Sequence, residues 1–264
     1  MKIVKTISAE FTKLKYAPIF SLIVFSLFVI CAIVFFASYM GVNDSVKMGQ
    51  NPWSRNLNAS LAIYSIFILI PFAVMFISTG VFVENQARGW KFIYATPNVR
   101  SSIFFSKLIS FLIGIFILAV LVLILTLITS YIVDLILPEY EFRFYKPDII
   151  SIFEGFVHAF ISILGVIGIQ YFISLRVKGF LIPMSFGVLM FIVGFIVATI
   201  DKPLALYSPY SYPGIVKDHN MFTIGKVGVT HDHWLSNVEI YSIIIFVAFI
   251  GLANILEVRK NVTN

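Results

Sequence analysis

Long apolar segments bounded by charged residues dominate the pattern along the chain of 264 residues. Five such runs lie between Lys15 and Asp44, Arg55 and Glu84, Lys107 and Asp134, Lys178 and Asp201, and Glu239 and Glu257. A helix that crosses a bilayer needs about 20 mostly apolar residues. Four runs exceed that length, and the fifth reaches it if its helix begins near Leu235 with Glu239 close to the interface. The pattern therefore predicts five spans.

A sixth apolar stretch, residues 149–175, contains two ionisable side chains, Glu154 and His158. An amphipathic surface helix needs a broad polar face, which two residues do not provide. We therefore predict an all-α polytopic membrane protein with six transmembrane helices in a single transmembrane domain, residues 1–264.

Composition and charge agree with this prediction. Hydrophobic residues make up 59% of the chain and charged residues only 12%, about half the charged share of a soluble domain. If the N-terminus is in the cytosol, most of the 19 Lys and Arg residues fall on the cytosolic side. The acidic residues on that side are then only Glu10, Glu84 and Glu257. The positive-inside rule thus predicts both termini in the cytosol, and it explains the net charge of +6 without a nucleic-acid partner.

Two segments outside the spans have a recognisable pattern. In residues 1–16, Ile3, Ile7, Phe11 and Leu14 recur at helical spacing among lysines, which predicts a retained amphipathic helix on the membrane lipids rather than a signal peptide. Residues 201–234 form the longest predicted external loop, and its prolines exclude a continuous helix over residues 207–214.

The largest predicted cytosolic loop, residues 84–107, carries large aromatic side chains beside basic ones. Pro97 ends any helix that starts near Glu84, because the residue before a proline avoids helical angles. Trp90 and Tyr94 either contact a protein partner or anchor the loop at the membrane interface, and the residues alone leave both readings open.

This loop resembles the one between the second and third spans of type-2 ABC exporter permeases. That family has an acidic residue, a Gly, a short apolar helix, a Thr/Ser-Pro turn, an Arg and then a Lys that opens the third span. The order matches in this chain, where the implied ATPase-coupling residues are Glu84, Gly89, Trp90, Phe92, Ile93, Tyr94, Pro97 and Arg100, followed by Lys107. Residues 10–15 similarly resemble the family's interfacial elbow helix.

The resemblance implies a permease whose coupling helix docks on a separate cytosolic ABC ATPase, in a unit with a second permease copy or paralogue. No stretch matches the P-loop pattern G-x-x-x-x-G-K-[ST], so ATP and Mg are expected on the partner and no cofactor on this chain. The overall pattern resembles bacterial cell-membrane permeases that export antimicrobial peptides, with drugs, sodium or lipid-linked molecules as alternative substrates.

Other ionisable groups suggest weaker hypotheses. Glu154 and His158 share a helix face, so they either pair, line a substrate path, or leave Glu154 pointing to the external interface. His231 and His233, near His219, lie on a predicted irregular loop and do not form a convincing metal site. An ion-coupled secondary transporter or an intramembrane enzyme is the alternative class, but both usually need more intramembrane charge.

Overall fold

The computed structural model describes residues 51–86, 100–136, 142–200, 202–221 and 234–258, together with a few helical positions between 24 and 36. The helices of these ranges are α1 (Pro52–Ile63), α2 (Leu69–Gln86), α3 (Arg100–Ile136), α4 (Ile149–Ser162), α5 (Leu164–Arg176), α6 (Leu181–Ile200), α7 (Lys202–Ala205), α8 (Tyr212–Met221) and α9 (Asn237–Val258). A π-helical turn, Tyr64–Ile68, joins α1 to α2, and 3-10 turns occupy Phe142–Phe144 and Pro209–Ser211. No strand occurs within the described ranges.

Five helical stretches of the described chain are long and apolar enough to cross a membrane. They are Pro52–Val83, Ser101–Ile136, Ile149–Arg176, Leu181–Ile200 and Asn237–Val258. Each agrees with a predicted span to within a few residues at most boundaries, which confirms an all-helical, polytopic architecture. Most of the predicted first span and the elbow helix lie outside the described residues, so the sixth span, the elbow and the orientation stay predictions.

The helices alternate in direction, so the bundle has two distinct ends. At the loop end, α2 ends at Gln86 and α3 begins at Arg100. At the cap end, α1 begins, α3 ends and α4 begins.

The second predicted span is one helical stretch with a local change of winding. Asn51 caps its start by accepting a hydrogen bond from the Trp53 amide at 3.0 Å, and Pro52 occupies the first helical position. Between Tyr64 and Ile68 the backbone is π-helical, and the Leu69 amide donates to the Tyr64 carbonyl five residues earlier. Such turns are rare and often lie at functional sites.

The stretch Ile149–Arg176 is broken at Ile163, between α4 and α5. The Ser242 hydroxyl of α9 fills the break, since it donates to the Ser162 carbonyl at 2.8 Å and accepts from the Gly165 amide at 2.8 Å. Backbone groups freed inside a membrane need such partners because lipid offers none. The break therefore ties α9 to the middle of this span.

Helix α5 is the centre of the bundle, with seven buried residues that contact α2, α6 and α9. Its glycines allow α9 to approach closely. A Cβ on Gly168 would lie 3.1 Å from the Phe246 Cα and 3.3 Å from its carbonyl oxygen. Small residues at helix contacts are the usual means of close packing in membranes, where lipid tails compete with apolar side chains.

The predicted external loop is largely packed on the bundle where the structure describes it. Residues 202–221 form α7, a 3-10 turn and α8, and Tyr210 and Tyr212 are each about 2% exposed. A continuous helix over 207–214 is absent, as predicted, because α8 begins only at Tyr212 with Pro213 in its first turn. Burial raises the pKa of the Tyr210 hydroxyl well above its ordinary value.

The cap end is held by Trp53, which is 1% exposed. Its indole N–H donates to the carbonyls of Phe142 at 2.9 Å and Tyr145 at 3.1 Å. Asp134, at the end of α3, accepts from the Phe142 amide at 3.0 Å and from the Arg143 guanidinium at 3.2 Å. The turn that joins α3 to α4 is thus clamped to the start of α1.

Candidate functional site

The predicted coupling loop connects two helices whose ends the structure describes. Glu84 lies in the last turn of α2, and Arg100 is the first residue of α3. The remaining predicted coupling residues, Gly89, Trp90, Phe92, Ile93, Tyr94 and Pro97, lie outside the described residues. The structure therefore shows which residues of the bundle contact α2 and α3, the two helices that flank this loop.

Helix α2 is tied to α5 and α6 through Gln170, which is completely buried. The Gln170 amide nitrogen donates to the Ser78 hydroxyl of α2 and to the Pro183 carbonyl of α6, both at 2.8 Å. Pro183 has no backbone N–H because its nitrogen is part of the ring, but its carbonyl can still accept a hydrogen bond. One side chain of α5 therefore joins three helices.

The neighbouring residue of α5 connects to the start of α3. The Tyr171 hydroxyl donates to the Phe104 carbonyl at 3.1 Å, one turn into α3. The two rings also pack at 5.1 Å between centroids. We call Gln170 and Tyr171 together the α5 junction, since this pair links both helices that bear the coupling loop to the centre of the bundle.

The start of α3 also contacts α9. The Ser101 hydroxyl donates to the Asn254 side-chain oxygen at 3.2 Å. Lys107 and Glu257, on the same two helices, are each 4% exposed. Buried ionic side chains are costly in a membrane unless they are paired, so Lys107 and Glu257 mark a polar region of the bundle at the loop end.

A second polar cluster lies near the cap end and joins α4 to α9. His158 Nδ1 is 2.6 Å from Glu239 Oε1, and the two side chains are 12% and 1% exposed. The other carboxylate oxygen of Glu239 accepts from the Ser236 amide and from the Ser236 hydroxyl, both at 2.7 Å. The Trp234 ring packs on the imidazole at 5.0 Å between centroids.

The predicted pair on α4 is not brought together by the fold. Glu154 is exposed on the bundle surface and has no hydrogen-bond partner among the described residues, whereas His158 turns inward to Glu239. Glu154 therefore does not point into the bundle, and its position at the external interface stays a prediction. A role of either residue in a substrate path stays a prediction.

Sequence reasoning missed Glu239 as a partner, although a local signal was present. Residues 236–239 read Ser-Asn-Val-Glu, which is the S-x-x-E capping box that marks a helix start. The structure shows one half of this box, in which the Ser236 amide donates to the Glu239 carboxylate, and α9 begins at Asn237, two residues after the predicted start near Leu235. The contact with His158, 81 positions earlier, has no local signal.

The structure does not test the metal-site hypothesis for the three histidines. His231 and His233 lie outside the described residues, and the side chain of His219 is likewise not described. Among the described residues, no three His, Cys, Asp or Glu side chains are grouped as metal ligands.

Comparison with known proteins gives one family. Comparison with curated proteins gives no match. The family model described as ABC-2 family transporter protein matches residues 6–194, well over half of the chain and including the predicted coupling loop, residues 84–107. Members of this family are the membrane component of ABC transporters, which work with a separate ATPase subunit. The chain, with its five described helices of membrane-spanning length, therefore belongs to the ABC-2 transporter family.

Proposed function

We propose that this chain is the permease subunit of an ATP-driven exporter in which the 84–107 loop couples a cytosolic ATPase to the bundle. The α5 junction is the observation that supports this role, because it ties the two helices that flank that loop to the central helix. ATP and Mg bind on the partner ATPase. Two permeases, identical or paralogous, complete the unit.

In this mechanism, ATP binding moves the ATPase and thereby the loop that docks on it. A displacement of α2 acts on Gln170 through Ser78, and a displacement of α3 acts on Tyr171 through the Phe104 carbonyl. Both reach α5, which contacts α6 and α9. ATP thus biases the bundle between two arrangements by binding one of them more tightly.

The coupling proposal is tested with the double variant W90D/Y94D. In the native protein, the Trp90 and Tyr94 rings would dock on the ATPase. In the variant, two carboxylates would have to lose their hydration at the same interface, which is unfavourable. We expect the ATPase to co-purify with the native permease at near-equal amounts and to fall at least tenfold with the variant. The matched control is Tyr207→Asp, the same change at an exposed cap-end position. Retained association of W90D/Y94D would remove this loop from the interface.

The topology proposed for this permease has six spans, with both termini in the cytosol and residues 1–16 as an elbow helix on the membrane lipids. The excess of Lys and Arg in the predicted cytosolic segments supports this orientation. It places the loop end in the cytosol, where an ATPase is found, and the cap end outside. The membrane is the bacterial cell membrane.

The proposed substrates are amphipathic peptides, including antimicrobial ones, on the basis of the resemblance to bacterial peptide exporters. We expect such a cationic amphipathic peptide to raise ATP hydrolysis by the reconstituted permease–ATPase complex two- to tenfold. A scrambled peptide of equal charge but without the apolar face is the control. Equal stimulation by both peptides, or stimulation only by drugs, sodium or a lipid-linked molecule, would reassign the substrate while leaving the permease role intact.

Family membership argues against the alternative classes. An ion-coupled transporter or an intramembrane enzyme would place its ionisable groups together at the middle of the bundle. Among the described residues, His158 and Glu239 form one ionisable pair, and Glu239 has a structural role because it also caps the start of α9.

A further inference from the structure

The break at Ile163 divides one stretch of membrane-spanning length, Ile149–Arg176, into α4 and α5. Ile163 has a ψ angle of −9°, which is about 30° away from the value in a regular α-helix. Sharp breaks arise at prolines, at Gly/Ser pairs, at π-helical turns, or where a side chain inserts into the backbone hydrogen bonds. A break made by covalent structure is permanent, whereas one made by an inserted side chain can be reversed.

The local sequence does not require this break. Residues 149–176 contain no proline, and the backbone at Ile163 is not π-helical. Gly165 follows the break, but glycine is frequent inside regular membrane helices. The remaining cause is the inserted side chain of Ser242, which belongs to α9. Its hydroxyl lies between the Ser162 carbonyl and the Gly165 amide, at 2.8 Å from the oxygen and from the nitrogen.

The two backbone groups that contact Ser242 would also have partners in an unbroken helix. In regular α-helical geometry the Gly165 amide donates to the Ile161 carbonyl, and the Ser162 carbonyl accepts from the Val166 amide. Backbone groups inside a membrane must be satisfied by protein, and both arrangements meet this requirement. The stretch therefore has two well-bonded arrangements, which we call the broken form and the continuous form.

Helix α9 contacts both sides of the break. On the side of α5, the small Gly165 allows the close approach, since a Cβ there would lie 3.3 Å from the Ser242 carbonyl oxygen. On the side of α4, Glu239 of α9 contacts His158 at 2.6 Å. The two contacts lie about one turn apart on each helix, so α9 holds α4 and α5 in the relative orientation of the broken form.

We propose that Ile163 is a hinge whose broken form is held by the Ser242 hydroxyl, and that displacement of α9 from the break converts Ile149–Arg176 into the continuous form. Ser242 is then a positioning residue for the cap-end half of this span. A hydroxyl that bonds neutral backbone groups stabilises the broken form only modestly, which leaves the equilibrium open to movements of α9.

The hinge depends only on contacts among α4, α5 and α9, so it stands whether or not the ATP-driven export proposed above is correct. If that export is correct, the hinge lets α4 change its orientation when the α5 junction moves. Its test needs neither ATP nor the partner ATPase, so the two proposals fail separately.

The test is a distance measurement by double electron–electron resonance on the full chain in lipid nanodiscs. Spin labels are placed at two exposed positions, Ile150→Cys of α4 and Ile200→Cys of α6, and Cys31→Ser removes the native cysteine. A reorientation of about 20° at Ile163 moves Ile150, about 20 Å away along α4, by about 7 Å. Ser242→Ala removes both bonds of the broken form, so a population displaced by at least half of that distance should increase about fivefold or more.

Ser162→Ala is the matched control. It also removes a fully buried serine hydroxyl beside the break, but this hydroxyl donates to the Ala159 carbonyl within α4 at 2.7 Å. The backbone carbonyl that accepts from Ser242 is unchanged by this substitution. The distance distribution of Ser162→Ala should therefore match that of the native serine.

Gly165→Ala keeps the proposal falsifiable if Ser242→Ala does not fold. Its added methyl moves Ser242 away from the break, and alanine favours a continuous helix more than glycine does. The displaced population should therefore increase in Gly165→Ala although the Ser242 hydroxyl is present. Unchanged distances in both variants, or an equal change in Ser162→Ala, would overturn the proposal.

Discussion

Replacing Glu239 with alanine is expected to lower the free energy of unfolding by at least about 1.5 to 3 kcal/mol, the range for one hydrogen bond to a charged group. One oxygen of this carboxylate contacts His158 at 2.6 Å, and the other accepts two hydrogen bonds from Ser236. The substitution therefore removes the cap of α9 and leaves the imidazole, 12% exposed, without its partner.

The measurement is unfolding of the purified chain by titration with SDS in mixed micelles. Glu154→Ala is the matched control, because it removes the same carboxylate from an exposed site on α4 and should change the unfolding free energy by less than about 0.5 kcal/mol. Glu239→Gln should lose less than Glu239→Ala, since its amide oxygen still accepts from Ser236. Equal stability of Glu239→Ala and Glu154→Ala would show that the α4–α9 contact contributes nothing.

Gly187→Ala is expected to lower the unfolding free energy by about 1 to 3 kcal/mol, the usual cost of overpacking. A Cβ at this position of α6 would overlap both methyl groups of Val74 and lie 2.9 Å from the Gln170 side-chain oxygen. The valine cannot turn away easily, because its β-branch allows essentially one rotamer in a helix. The added methyl therefore separates α6 from α2 and disturbs the α5 junction.

Gly251→Ala provides the control, because nothing lies within 4 Å of a Cβ at that position of α9. Alanine there should be neutral or stabilise by up to about 1 kcal/mol through its helix propensity. If the junction transmits motion as proposed, Gly187→Ala should also lower substrate-stimulated ATP hydrolysis relative to the basal rate. Equal stabilities of the two alanine variants would contradict the close packing of α6 on α2.

The spans were predictable because hydrophobic length is a physical requirement of the bilayer. The run between Arg55 and Glu84 extends to Pro52–Val83 in the structure, and its earlier start follows from Asn51 and Pro52, which together form a cap signal. The π-helical turn at Tyr64–Ile68 had no such signal. It depends on how the turn packs against its neighbours rather than on the sequence of those five residues.

The polar contacts inside the bundle were not predictable, since they join residues far apart in sequence. Gln170 contacts Ser78 across 92 positions, and His158 contacts Glu239 across 81. Helical spacing instead suggested Glu154 as the neighbour of His158, because spacing reports only contacts within one helix. The structured segment 202–221 was also missed, because its prolines report where a helix stops and not what the turns pack against.

The clamp around Trp53 has a mechanical consequence for the stretch that starts beside it. With a rise of about 1.5 Å per residue, the 32 residues of Pro52–Val83 extend about 48 Å from the clamp to the loop end. One end of this stretch is fixed by the Trp53 indole and the turn at Phe142. When the stretch tilts, it therefore rotates about that fixed end. A tilt of about 5° then moves the far end by about 4 Å, while the clamped end hardly moves.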